Sequence, residues 1–415
     1  MSAVDKDHTT ITELRCVACG ATHSSVEHWQ CTFCGDVLDI RYDYAAIAKG
    51  LSPENQALRP QGMWRYPELL PVSPAVPRPP QPVGWTPLID APRLAAWCGV
   101  SRLRLKDEGR NPSASFKDRA SAVAVVHARS LGMATLACAS TGNAASSLAG
   151  MAAGMGLKAV IFIPETAPEP KVAQLLAFGA TVVKVRGGYE AAYALCNEAC
   201  EHWGWYNRNC AINPYLVEGK KTCGLELAEQ TVAAPADWVV VSVGDGCTIA
   251  GVHKGFVEMK RIGMGPEVPR MLGVQANGAR PIVDAFEAGE AAMTPCDANT
   301  VADSISVGTP RNDRKALLAV RQSEGHLLSV SDEAILESVA TTPRLSGVFG
   351  EPAGVAGVAG LRVAVQEGIV SSDASVIVVM TGSGLKDTQS ARKAVGDPLT
   401  TDPNLKDLEE LLNEA

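Results

Sequence analysis

Three short segments hold most of the reactive residue types. The first, K-D-E-G-R-N-P-S-A-S-F-K-D-R from Lys106 to Arg119, sets Ser115 three positions before Asp118, a helix start resembling a capping box. Lys117 then falls in the first turn, where the helix dipole is positive and a cation is disfavoured. A lysine whose charged form is destabilised is a better amine nucleophile and suits Schiff-base formation with a carbonyl group. Taken alone, Lys117 is explained more simply as a solvated surface lysine. The second segment, Ser140-Thr141-Gly142-Asn143, follows the apolar run ATLAC and opens a helix. Small residues there let backbone amides and two hydroxyls converge on a carboxylate or phosphate. A Ser or Thr cap accounts for one hydroxyl but not for the cluster. The third, Gly244-Asp245-Gly246-Cys247-Thr248, follows DWVVV, and its glycines allow an anion nest with N–H groups turned inward. It lacks the Gly-Lys-Ser/Thr of a P-loop and the complete G-x-G-x-x-G of a dinucleotide site. The Asp245 carboxylate is expected to point away from such an anion, leaving the contact to main-chain amides. An amine, a carboxylate cradle and a phosphate nest together describe pyridoxal phosphate holding an amino acid.

These segments must be positioned by something, and from about Ser101 the chain alternates strand and helix patterns. RLRLK, ATLACAS, KAVIFIP, TVVKV, DWVVVSVG, RMLGVQA and SVIVVMTG are mostly continuous apolar runs of the kind buried on both faces of a parallel sheet. Helical stretches lie between them: Lys117 to Leu131, Lys171 to Phe178, Tyr189 to His202, Gly219 to Gln230 and Glu351 to Gln366. The fold class is therefore α/β with mostly parallel sheets flanked by helices, in which ligands bind at the carboxyl ends of strands. At 415 residues, two domains are expected.

Four early cysteines, Cys16, Cys19, Cys31 and Cys34, form two C-x-x-C-G knuckles, a spacing that predicts a tetrahedral structural zinc site in a small ribbon-like module. The alternative, a redox pair, wants a thioredoxin-like strand and helix that are absent around either motif. Residues 1–45 carry seven acids against three Lys and Arg, so the module is read as a structural appendage rather than a DNA-binding ribbon. Seven prolines between Pro71 and Pro87 predict an extended connector lying on the core; a recognition peptide for a proline-reading domain is the other reading. The expected units are 1–45, a four-cysteine zinc module; 46–100, an extended arm; 112–225, a smaller domain; 101–111 with 226–395, a larger domain; and 396–415, a C-terminal helix or tail.

With 37 Lys and Arg against 45 Asp and Glu, net charge −8, no broad basic surface is available for nucleic acid. The uncharged run from Leu131 to Leu157 is broken by polar residues and five glycines, so no membrane partner is expected. The polar N-terminus points to the cytoplasm. Cys98, Cys138, Cys196, Cys200, Cys210, Cys223 and Cys296 show no ligand pattern.

LKDEGRNPSASFKDR, ASTGNAASSLA, FGATVVKVRGGYEAA, INPYLVEGKKTCGLELAEQ, SVGDGCTIAGVHKGF and MTGSGLKD resemble the fold type II pyridoxal-phosphate enzymes, and the threonine synthases most closely, from about Trp64 to Asp387. The cysteine knuckles resemble an extension found in many threonine synthases. The resemblance implies a lyase that turns O-phosphohomoserine and water into threonine and phosphate, with a small amino-acid substrate and a homodimer. It implies that Lys117, after Phe116, carries the cofactor as an imine and shuttles protons. Asn143 would bond the cofactor's phenolic oxygen, and Ser140, Thr141 and Gly142 would hold the substrate carboxylate. Gly244, Asp245, Gly246, Cys247 and Thr248 would cradle the cofactor phosphate, and Thr381 would face the pyridine nitrogen. Lys106, Ser113, Ser115 and Lys220 are the further candidates for binding substrate. The chain departs from the family at Leu216, where many members have arginine, and at Lys220, where many have glutamine. Leucine cannot grip phosphate, so either Lys220 or Lys221 compensates, or the enzyme eliminates or replaces at the β-carbon of an unphosphorylated serine-, threonine- or cysteine-like amino acid. A non-catalytic zinc-bearing scaffold is the reading from another class, and the intact Lys117 argues against it.

Overall fold

Alternation along one central strand shows how the apolar runs are used. In W-V-V-V-S, Trp238 and Val240 join one hydrophobic cluster while Val239 and Val241 join another, so both faces of the strand are covered. The computed structural model describes residues 10–23, 29–167, 169–210 and 212–414. Strands β1 (Ile11–Cys16), β2 (Thr22–His23) and β3 (Leu38–Tyr42) make an antiparallel sheet in the order β2-β1-β3. Next come β4 (Leu88–Asp90) and β5 (Arg102–Asp107), followed by β6 (Thr135–Ala139), β7 (Lys158–Pro164), β8 (Thr181–Val185) and β9 (Tyr206–Asn207). The last four pair in parallel in the order β8-β7-β6-β9. Strands β10 (Trp238–Ser242), β11 (Arg270–Ala276), β12 (His326–Val330) and β13 (Ser375–Met380) return to β4 and β5 in a sheet ordered β12-β11-β10-β13-β5-β4, where only β4 is antiparallel. The fold is α/β with mostly parallel sheets, as the runs predict.

Two expectations need correction. Residues 46–100 are not extended throughout: helices Pro53–Ala57 and Pro92–Cys98 and strand β4 interrupt them. The proline-rich stretch itself holds no helix or strand and lies on the core through buried Val72 and Val83.

Nor is the N-terminal module an appendage. Leu14, Leu38, Ile40 and Tyr42 belong to the same core cluster as Val123 and Val241. Its acids are docking groups: Lys254 Nζ lies 3.0 Å from Asp39 and Arg314 lies 2.8 Å from Asp36, while Lys315 Nζ donates to the Leu38 carbonyl at 2.6 Å. Burial pushes the Asp39 carboxyl up, but Lys254 and Lys315 outweigh it and hold the group below the ordinary range. These partners come from far along the chain, so local charge counting could not reveal them.

Helices Tyr215–Gln230 and Cys247–Arg261 approach so closely that a Cβ on Gly255 would sit 2.5 Å from the Lys221 carbonyl oxygen. That contact fixes the helix that starts at the third segment. Among the described residues, no helix is long and apolar enough to cross a membrane.

Candidate active site

The three segments follow the carboxyl ends of β5, β6 and β10 and converge on a cavity of about 650 Å³. Its wall includes Lys117, Ser140, Thr141, Gly142, Asn143, Lys220, Gly244, Asp245, Gly246, Cys247, Thr248 and Thr381. Lys117 opens helix Lys117–Ser130, whose N-cap is Phe116 with no side-chain cap. Phe116 N–H donates to the Thr381 carbonyl at 2.8 Å, and Ser115 bridges Gly382, so the turn before Lys117 is stitched to the end of β13. That stitch is why Lys117 and Thr381 share one cavity.

The capping box is built differently from the expectation. Asp118 accepts from the Ser113 N–H and hydroxyl, both at 2.6 Å, and the Ser115 hydroxyl has no such bond. Ser113, Ser115 and Phe116 are buried behind the turn rather than on the cavity wall. Lys106 likewise does not reach the cavity: it is fully buried, and its Nζ bonds the Thr86 carbonyl, Glu226 and Gln230. It belongs to a charge cluster in which Arg119 bridges Glu108 and Glu226, each at 2.7 Å. Lys106, Ser113 and Ser115, expected to bind substrate, thus lie off the cavity wall. Lys221, one of the two lysines considered against Leu216, is also spent elsewhere, on Glu218 and Glu258. Leu216 itself is wholly buried in the core.

Electrostatics at the wall favour an uncharged amine. Burial lowers the Lys117 ammonium below its ordinary value, and Lys220 and Arg208 push the same way, against Cys210 and Asp245. Asn143 heads helix Asn143–Gly154, and its Nδ2 donates to Glu351 Oε1 at 2.7 Å and to Ser304 Oγ at 3.3 Å. Glu351 is pushed up to about 7 by burial, against the pull of Lys117 and Lys386. In the glycine turn, Gly246 adopts φ +89, and a Cβ there would sit 2.7 Å from the Asn312 carbonyl oxygen. Only glycine closes the turn without strain, leaving the first amides of helix Cys247–Arg261 free of intrahelical partners beside the cavity. The Asp245 carboxylate accepts weakly from the Arg311 N–H at 3.4 Å, and burial and Cys210 raise it to about 6.

The donor set therefore fits pyridoxal phosphate: an amine with a depressed pKa, a glycine cradle at one helix start, and a hydroxyl at the end of β13. Zinc also fits the module. The four knuckle sulfurs lie within 4.8 Å of one another, and close pairs stand 3.5 and 3.6 Å apart, near the ~3.8 Å edge of a tetrahedron with Zn–S of about 2.3 Å.

Sequence reasoning missed Arg208, Cys210, Ser304, Arg311 and Glu351, all on the cavity wall. Glu351 precedes the proline that starts helix Pro352–Gln366, a helix-start position whose chemistry was legible in principle. Ser304 sits in the single 3-10 turn Asp303–Ile305 and the others in loops, all without a spacing signal.

Comparison with known proteins agrees with this geometry. The pattern described as pyridoxal-phosphate dependent enzyme matches residues 80–382. The threonine synthase of Methanosarcina acetivorans is 40% identical over 96% of this chain and 98% of its own, and that of Methanocaldococcus jannaschii is 37% identical over 96% and 99%. In fold, the diaminopropionate ammonia lyase of Escherichia coli superposes with a TM-score of 0.66 at 19% identity, covering 83% of this chain and 92% of that one. With its lysine, glycine turn and strand-end hydroxyl gathered round one cavity, the chain belongs to the pyridoxal-phosphate dependent enzymes, within the threonine synthase family.

Proposed function

We propose that this protein converts O-phosphohomoserine and water to threonine and phosphate. The observation that carries the reading is the number of cations on one wall: Lys220, Arg208 and Arg311 line the cavity together with Lys117 and a glycine nest that can hold the cofactor's phosphate by itself. That supplies charge for a second phosphate even though position 216 supplies none. Pyridoxal phosphate, when bound, offers an aldehyde for amine capture and a ring that takes up electron density from the α-carbon.

The chain's own residues then divide the work. The Lys117 amine, whose grip on a proton is weakened by burial and Lys220, accepts and returns protons at the α- and β-carbons. Ser140, Thr141 and Gly142, at the start of helix Asn143–Gly154, receive the substrate carboxylate. Asn143, held by Glu351, would give up its longer bond to Ser304 and turn that N–H to the cofactor's phenolic oxygen. Amides from Gly244 to Thr248 would take the cofactor phosphate, and Thr381 would supply a hydroxyl to its ring nitrogen. A hydroxyl there, rather than a carboxylate, keeps the ring less protonated and favours elimination and replacement over transamination. The reading includes a structural zinc on Cys16, Cys19, Cys31 and Cys34 and a homodimer, the latter from the family likeness. Cytoplasmic residence is part of the same reading.

The test is release of phosphate together with threonine from O-phosphohomoserine by purified holoprotein, with Lys117→Ala as control. Release no faster than in the control refutes the reading. Formation of 2-oxo acid from serine or threonine, without phosphate release, replaces it with β-elimination on an unphosphorylated substrate.

A further inference from the structure

Two cysteines that the sequence leaves without partners meet at the cavity wall. Cys210 follows β9 in a loop, Cys247 is the first residue of helix Cys247–Arg261, and their sulfurs lie 3.4 Å apart. Both line the cavity, and neither belongs to the four-cysteine cluster. Cys210 is half-buried rather than sealed. Lys220, only 1% exposed, points its Nζ at Cys210 Sγ from 3.0 Å.

This setting differs from that of the other non-knuckle cysteines. Burial pushes the Cys98 and Cys138 thiols up to about 12, and Cys196 is raised by its bond with Cys200 and by burial. Cys210 alone among the described residues outside the knuckles is held well below the ordinary thiol value. The hydrogen bond with Cys247 contributes most, and the charges of Lys220, Lys117 and Arg208 add to it against burial. Low-pKa, accessible thiols beside a cation are the reactive ones.

We propose that Cys210 and Cys247 form a thiol modification site in the wall of the active cavity, in which Cys210 captures small disulfides such as oxidised glutathione and Cys247 then closes an intramolecular disulfide. In the first step the Cys210 thiolate attacks one sulfur of the small disulfide; a new S–S bond forms, the old one breaks, and one thiolate leaves and takes up a proton. In the second, Cys247 loses its proton and attacks the Cys210 sulfur, expelling the second small thiol. Two protein thiols are oxidised and one small disulfide is reduced to two thiols. The lysine that stabilises the attacking thiolate is already in place.

Closure has a structural consequence. The sulfurs must move from 3.4 Å to about 2.0 Å, and Cys247 carries the start of its helix and the adjoining Gly246 turn with it. Displacements near an ångström at groups that position a reactant cost on the order of 100-fold in rate. The site needs the cavity but not the proposed reaction, so mapping the thiols tests it separately from turnover.

The experiment treats holoprotein with oxidised glutathione, quenches in acid, alkylates free thiols and maps peptides without reduction. The expected result is a Cys210–Cys247 cross-link, with activity falling on the order of 100-fold and returning with dithiothreitol. Cys247→Ser should stop at a glutathione adduct on Cys210. Lys220→Gln should slow modification at least about tenfold. If that variant does not fold, the pH dependence in wild type decides. A Cys210 rate that levels off at lower pH than that of an ordinary thiol supports the site, and a rate still rising about tenfold per pH step up to about pH 8 overturns it. Cys210 left unmodified in wild type, or a cross-link between other cysteines in its place, also overturns it.

Discussion

Replacing Glu351 with glutamine should make the protein more stable at alkaline pH and leave it unchanged in acid. Glu351 is 5% exposed, and burial pushes its carboxyl from 4.5 to about 7. Below about pH 4.5 both the folded and unfolded chains hold this proton, and the group contributes nothing. As pH rises towards 7 the unfolded chain releases the proton while the fold retains it, so stability falls; above about 7 the whole cost is present. At about 1.4 kcal/mol for each tenfold change in proton affinity, that cost is about 3 kcal/mol. Glutamine is neutral at every pH and keeps an oxygen for the Asn143 Nδ2 bond, so Glu351→Gln recovers the cost without opening a cavity. The assay is a set of urea transitions of cofactor-free wild type and variant between about pH 4 and 8. The expected gap grows from near zero to about 3 kcal/mol in favour of the variant. A gap that stays constant across that range, or a variant that is the less stable at high pH, refutes the reasoning.

Arg119→Met should cost about 3–5 kcal/mol, because it strands Glu108 and Glu226 as buried carboxylates without their shared partner; thermal unfolding measures it, and a negligible loss would show that the cluster relaxes. Removing metal with a chelator, or Cys31→Ser, should lower the melting temperature and weaken cofactor binding, since Val37 of the second knuckle packs with Val217 and Cys247 beside the glycine turn. Elemental analysis and cofactor titration check the pair, and unchanged cofactor affinity in metal-free protein would break the link. Arg311→Met should reduce kcat/KM for O-phosphohomoserine by about 10- to 100-fold, the worth of one charge-assisted hydrogen bond. Steady-state kinetics read this, and a wild-type value would place the substrate phosphate elsewhere on the wall.

Much of the framework was legible from local pattern. The runs predicted as strands coincide with β5, β6, β7, β8, β10, β11 and β13 to within a few residues at each end, because continuous β-branched stretches have few ways to be buried other than inside a parallel sheet. Strand β12 was missed: H-L-L-S-V is short and carries a histidine and a serine, and what makes it a strand is the open edge of β11. The same limit applies to charge. In the sequence Asp39 is one acid in a local charge count, and Lys106 and Lys221 are candidates for a substrate phosphate; only their partners on distant elements make them structural.

By itself the sequence determined the reactive residue types, their places at strand ends and the knuckle spacing, since these follow from bonding within a few residues. Which lysines face the cavity, that Ser113 rather than Ser115 bonds Asp118, and that Cys210 meets Cys247 were decided by the tertiary structure alone. Such contacts depend on how helices Lys117–Ser130, Tyr215–Gln230 and Cys247–Arg261 pack, and side-chain direction on a packed helix is set by what lies opposite it, not by its neighbours in the chain.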